Sequence, residues 1–169
     1  SQNTIETSYN GPVIYMNYCN ECIFDGNEIT GGPRTGIQSR YSENSSFSNN
    51  VLDVKWHGFY CDYGDALSFT DNTVTVSKEN DDWAYGIKFN STENAVITGN
   101  SITFDTPSPY HYSVGIYNES QYSNAVISNN TIHIIEGEYY INGIRVFGAV
   151  IDNNTIMVDG NNHENVRGI

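Results

Sequence analysis

Basic side chains are scarce in this sequence. Seven Lys and Arg stand against twenty Asp and Glu, a formal charge of −13 over 169 residues. That balance excludes nucleic acid as a partner, because phosphate backbones are held by basic patches. It suits an anionic membrane surface no better. Cysteine is scarce too, limited to Cys19, Cys22 and Cys61. "CNEC" has the C-x-x-C spacing, yet no second pair or His cluster completes a zinc site. The three sulfurs therefore read as small buried apolar groups with at most one disulfide, and the odd count leaves a thiol unpaired within the chain. No apolar run is long enough to cross a membrane. Apolar residues nevertheless reach 38%, Tyr occurs 13 times and Asn is abundant. Such a chain buries a core instead of staying disordered, and its length suits one domain spanning 1–169.

One phrase recurs along it. "NAVITGNSITF" (94–104), "NAVISNNTIHI" (124–134) and "GAVIDNNTIMV" (148–158) share a layout. Aligned on the second polar residue of the centre, Asn27, Asn50, Asn72, Asn100, Asn130 and Asn154 fall 23, 22, 28, 30 and 24 residues apart. Three positions earlier stand Phe24, Phe47, Phe69, Ile97, Ile127 and Ile151. Two positions later stand Ile29, Leu52, Val74, Ile102, Ile132 and Ile156. Apolar residues at period two on both sides of a polar pair predict two short strands around a corner. Gly26, Asn49, Asp71, Gly99, Asn129 and Asn153 fill the first corner position, and these are the residue types that tolerate φ > 0.

A second phrase is Gly36-Ile37, Gly58-Phe59, Gly86-Ile87, Gly115-Ile116, Gly143-Ile144 and Gly168-Ile169, with "GPVIY" from Gly11 as a degenerate earlier copy. It predicts a third strand per unit. One unit of about 25 residues cannot bury its apolar side, whereas stacked units can. At ~4.8 Å per coil, six coils would give a rod core roughly 29 Å long, with the Asn residues sharing hydrogen bonds along the stack. A β-sandwich, the competing all-β arrangement, does not predict a fixed Asn offset in every unit.

This pattern, over residues 11–169, resembles the right-handed parallel β-helix of pectate-lyase-like solenoids. The resemblance implies an all-β fold of about six coils, with three short strands per coil and an Asn ladder at the tight corner between the second and third. That fold hosts lyases, hydrolases, epimerases, tailspikes and adhesins, so it does not choose a function. The acidic, Asn- and Tyr-rich composition, with its N-x-S/T sequons, is similar to that of adhesin-like surface proteins of methanogenic archaea. An extracellular or cell-surface location is the matching expectation.

Variability concentrates at the corner leading into the Gly-Ile strand, which lengthens to "SKENDDWAY", "DTPSPYHYSV", "IEGEYYIN" and "DGNNHENVR". Solenoid loops that grow on one edge commonly form the binding face. Here they carry Trp56, His57, Trp83, Tyr85, Tyr110, His111, Tyr112, Tyr139 and Tyr140. Beside them an outward row is expected at Gln38, Tyr60, Lys88, Tyr117 and Arg145, one residue after each apolar anchor. Tyr60, Lys88, Tyr117 and Arg145 would stack on and hydrogen-bond to a polysaccharide, a cell-surface glycan or a protein partner. Trp83, Tyr110, Tyr112 and Tyr140 would wall the site. The competing reading is structural, since Tyr on a sheet surface also stacks on its cross-strand neighbours.

No catalytic residue is assigned; beside an adhesin-like binding module, the alternatives are a lyase-like, polysaccharide-active enzyme and a structural spacer that holds another domain away from a surface. A lyase would need Lys88 with Asp81 and Asp82, or Arg145 with Glu119. A hydrolase would need clustered acids, and the strand face lacks them. His57, His111, His133 and His163 are scattered and read as solvated surface side chains. "SKENDDW" lacks the spacing of a calcium loop, so no cofactor is expected and loose surface calcium is the only metal in view. Sequons at Asn44, Asn90 and Asn118 fall in corners expected to be exposed, and those at Asn129 and Asn153 fall in the tight Asn corner. The sequence stops at "VRGI", as a further Gly-Ile strand starts, so a segment of a longer solenoid is expected, with further repeats stacking end to end.

Overall fold

The computed structural model describes residues 3–8, 10–31, 34–77, 83–105, 112–121, 123–135, 140–159 and 165–169. The chain winds through three sheets in turn, and every strand pair is parallel. Seven strands make the glycine sheet: Ile14–Asn17, Thr35–Arg40, His57–Asp62, Trp83–Asn90, Tyr112–Tyr117, Tyr140–Arg145 and Asn165–Arg167. Six make the approach sheet, which leads into the Asn corner: Ile23–Asp25, Ser46–Ser48, Ser68–Thr70, Val96–Thr98, Ala125–Ser128 and Ala149–Asp152. Seven make the exit sheet beyond it: Thr4–Glu6, Glu28–Thr30, Val51–Val54, Thr73–Val76, Ser101–Asp105, Thr131–Ile135 and Thr155–Asp159. No helix occurs among the described residues, so none is long and apolar enough to cross a membrane.

Like stacks on like. The −3 anchors pair in register (Phe24 with Phe47, Phe47 with Phe69, Phe69 with Ile97), and the rings of Phe47 and Phe69 stack at 5.0 Å. The +2 anchors do the same on the exit sheet, from Ile29 through Leu52, Val74 and Ile102 to Ile132. Ile37, Phe59, Ile87, Ile116 and Ile144 close the third side, and the core these files form is almost fully buried.

The glycine that precedes each third-side anchor permits a close approach. A Cβ on Gly86 would sit 2.4 Å from Ile102 Cγ2 and 2.7 Å from the Gly115 carbonyl oxygen. Side-chain alternation breaks there: Ala84 is buried, as are Gly86 and the adjacent Ile87, and Lys88 then emerges. The degenerate first copy aligns on its isoleucine, Ile14 opposite Ile37, so Gly11 falls two residues ahead of the glycine position.

The Asn corner supplies the polar spine. All six corner residues from Gly26 to Asn153 have left-handed φ, between 50° and 69°. Behind them, from Asn50 to Asn154, each ladder Oδ1 accepts two bonds from the preceding coil. Asn100 Oδ1 takes the Asn72 backbone N–H at 3.0 Å and its Nδ2–H at 2.9 Å. The second Nδ2 hydrogen goes to a main-chain carbonyl, from Asn100 to Phe69 O at 2.9 Å. Every polar atom of the Asn72, Asn100 and Asn130 amides is thereby used. The ladder has one more rung than the sequence reading counted: Asn3 Nδ2 donates to Asn27 Oδ1 at 3.0 Å, just ahead of the first exit strand.

Cys19 and Cys22 form a disulfide across the corner between glycine and approach sheets. Cys61 is the unpaired thiol, buried in the core.

Candidate functional face

The outer face of the glycine sheet carries the predicted row in register: Gln38 opposite Tyr60, Tyr60 opposite Lys88, Lys88 opposite Tyr117, Tyr117 opposite Arg145. A second outward file holds His57, Tyr85, Val114, Asn142 and Arg167, and a third holds Trp83, Tyr112 and Tyr140. Tyr110 lies outside the described residues, as do His111, His163, Tyr139, Glu79, Asp81, Asp82, Glu136 and Glu138.

These side chains spend much of their interaction capacity on one another. Trp83 and Tyr112 stack at 4.5 Å, and Tyr112 and Tyr140 at 5.0 Å, with planes within 15° of parallel. Ring faces along that file are therefore covered by neighbours, which is the cross-strand stacking expected of Tyr on a sheet. Tyr140, at the end of the file, is 40% exposed.

Two row members differ from their expected roles. Tyr117, read as an exposed stacking platform, is buried at 3% exposure, because Tyr85, Lys88 and Arg145 close over it. Its hydroxyl donates to Glu119 Oε1, and burial, followed by that carboxylate, pushes its pKa up. A phenol held neutral in this way is a poor proton acceptor at neutral pH. Lys88 is caged: Nζ donates to the Tyr60 hydroxyl at 3.0 Å and lies 4.3 Å from the Tyr60 ring centroid and 5.0 Å from that of Tyr85. Arg145 is exposed instead. Its guanidinium lies over the Trp83 and Tyr117 rings at 5.8 and 5.5 Å and makes no ion pair with Glu119.

His57, read as a solvated surface residue, is 4% exposed. It stacks on Trp56 at 4.3 Å, and its Nδ1 accepts the Tyr85 backbone N–H at 3.3 Å. The clue lies in its position, directly before Gly58, which places it in the outward file with Tyr85. Asp62 ends the same strand, half-buried. Desolvation raises its carboxyl pKa, and Lys88 and Arg40 oppose that shift. Asn118, expected to be exposed as a sequon, is fully buried, so a glycan cannot be added to it in the fold. Asn44, Asn129 and Asn153 are exposed and Asn90 is half-buried.

Charge is segregated by sheet. The glycine-sheet strands contain Arg40, Lys88, Arg145 and Arg167 against the single acid Asp62, and Arg34 directly precedes one of them. The other two sheets contain no Lys or Arg, and their strands carry Glu6, Asp25, Glu28, Asp53, Asp105, Asp152 and Asp159. Towards the last coils a cleft of about 580 Å³ opens between Trp83, Tyr112, Tyr140, Asn142, Arg145 and Arg167, floored by Ile144 and Val146. No grouping of His, Cys, Asp and Glu able to hold a metal occurs among the described residues.

One sequence feature of consequence escaped the motif reading. Tyr18, Tyr41 and Tyr63 each stand nine residues before a ladder Asn, and the structure stacks them on the opposite edge of the glycine sheet at 4.9 and 5.2 Å.

No curated protein matches the sequence. Similar solved structures include an alginate lyase from Paenibacillus sp. str. FPU-7 (10% identity, 98% of this chain and 78% of that one, TM-score 0.46). They also include the A-module of mannuronan C-5 epimerase AlgE6 from Azotobacter vinelandii (12%, 96% and 55%, 0.42). A third is the Streptococcus pneumoniae surface protein and adhesin PfbA (12%, 88% and 49%, 0.41). The chain thus spans about half the length of the last two, and likeness at this level assigns no ligand or chemistry. The family model for the right handed beta helix region matches residues 1–102, more than half of the sequence, and the chain belongs to that family.

Proposed function

We propose that this chain is a non-catalytic, adhesin-like module of an extracellular or cell-surface protein, and that its glycine sheet binds an acidic carbohydrate chain. The segregation of charge carries this reading. In a molecule of net charge −13, the strand-borne cations share one face with the aromatic files. An anionic ligand is repelled by the two acidic sheets and accepted by this one. Contact falls on Arg145, Arg167 and Tyr140 around the cleft, where guanidinium groups pair with carboxylates and the free side of the Tyr140 ring meets a sugar face. Tyr60, Lys88, Tyr117, Trp83 and Tyr112 hold that surface in shape.

Binding measured on a polysaccharide panel tests the proposal. Polygalacturonate or alginate is expected to bind and neutral dextran is not, with Arg145→Ala plus Tyr140→Ala weakening binding at least about tenfold. Equal affinity for dextran would contradict it. A lyase reading draws on one observation, the in-register sequence of Lys88, Tyr117 and Arg145. Against it stand the caged ammonium and the raised phenol pKa. Release of unsaturated uronate products would favour the lyase; binding without turnover favours the module.

A further inference from the structure

We infer that the edge between the glycine and approach sheets is a second, separate docking strip, and that its partner is a basic, arginine-bearing extended segment of another protein. The chain crosses this edge by a four-residue turn whose first and last residues are both left-handed. Tyr18 and Glu21, Tyr41 and Asn44, Tyr63 and Ala66, and Ser91 and Asn94 all have φ between 49° and 56°. A bulky aromatic residue is disfavoured in that conformation. The turn does not need one, because Ser91 makes the same bend at φ 49°.

Three successive coils nevertheless place Tyr there, exposed by 71%, 40% and 52%, with rings stacked in one strip. Two residues further on, Glu43, Asp65 and Glu93 stand in register on adjacent coils, all exposed. Like charges one coil apart repel, so this file too is something the fold tolerates; within it, Asp65 Oδ1 accepts from Asn94 Nδ2 at 2.9 Å. Glu21 adds a fourth carboxylate, and Arg40, over the Tyr41 ring at 6.0 Å, is the one described cation in contact with the Tyr strip. An aromatic strip beside a carboxylate file matches a planar cation that stacks on rings and pairs with acids, which is the chemistry of guanidinium. An extended chain running along the solenoid axis would meet both files on the Tyr41 and Tyr63 coils, with an aromatic ring before them at Tyr18 and a carboxylate after them at Glu93.

The test uses the full chain and a synthetic peptide of alternating Arg and Ser, with Lys–Ser and Glu–Ser counterparts, titrated calorimetrically at low salt. The Arg peptide is expected to bind more tightly than the Lys peptide, and the Glu peptide not at all. Tyr41→Ser with Tyr63→Ser copies what coil four already carries, so the fold is retained, and binding is expected to weaken at least about tenfold. Tyr41→Phe with Tyr63→Phe keeps the ring faces and is expected to keep the affinity. Glu43→Gln with Glu93→Gln should weaken binding and flatten its salt dependence. Arg145→Ala, on the other face, should leave peptide binding unchanged, so failure here is separable from failure of the carbohydrate proposal. Equal affinity for Arg and Glu peptides, or undiminished binding in the Tyr→Ser variant, would overturn the inference. So would maltohexaose binding that depends on the same tyrosines.

Discussion

The solenoid turns two corners that look alike to the backbone and opposite to the sequence. At the Asn corner, left-handed residues precede an Asn whose side chain accepts from the coil before and donates both to the coil after and to a main-chain carbonyl. At the Tyr corner, left-handed residues stand at both ends of the turn, and their N–H groups donate to main-chain carbonyls of the next coil. Tyr41 donates to Asp62 O and Asn44 to Asp65 O, both at 3.0 Å. The first corner is completed by a side chain, so only Asn serves. At the second the left-handed residues bond through their backbone N–H groups, so Tyr and Ser both serve at its start, and Glu, Asn and Ala at its end. Where the fold dictates chemistry, residue identity repeats. Where it dictates only conformation, identity is left free for surface work.

Four substitutions break or sharpen this contrast. Asn100→Ala removes an acceptor from two buried donors of Asn72 and a donor from Phe69 O and Asn130 Oδ1. It is expected to lower stability by on the order of 3–5 kcal/mol in urea denaturation. Gly86→Ala drives a methyl into Ile102 and the Gly115 carbonyl. A loss of about 1–3 kcal/mol is expected by the same measurement, because the backbone contact cannot relax by a rotamer change. Tyr63→Gly relieves a left-handed aromatic residue and forfeits one stacked pair, so thermal denaturation should show a net change within about 1 kcal/mol of zero.

The smallest effect belongs to Asp62, immediately before that turn. Its carboxyl pKa is raised by burial, so the folded chain holds the proton to higher pH than the unfolded one. The stability tied to that proton is complete below the ordinary carboxylate range and lost as pH rises through the raised value. Asp62→Asn should therefore raise Tm slightly at neutral pH and leave it unchanged in acid.

How far the sequence revealed the molecule follows from the same contrast. The six Asn rungs, the anchors on either side and the Gly-Ile strands were legible because each position has one physical solution in every coil. The row Gln38, Tyr60, Lys88, Tyr117 and Arg145 was legible as a line, since period two fixes which side a residue faces. Its burial was not: whether Tyr117 is open depends on Tyr85, Lys88 and Arg145 closing over it, from the two flanking coils. His57 was misread for the same reason, because Trp56, Tyr60 and Tyr85 together take it out of solvent. Asn3 escaped because it shows only the anchor on its later side, Ile5. The Tyr18, Tyr41 and Tyr63 strip had a signal, a constant offset from the ladder, but in only three of the coils.

Amide hydrogen exchange tests the central claim most directly. The backbone N–H groups of Asn50, Asn72 and Asn100 point at the Oδ1 of the next Asn, at 3.0 Å, and are buried. If the ladder is the spine of the fold, these amides exchange only through global unfolding, as slowly as those of Phe47 and Phe69. Exchange at the rate of exposed turn residues such as Glu43 would contradict it.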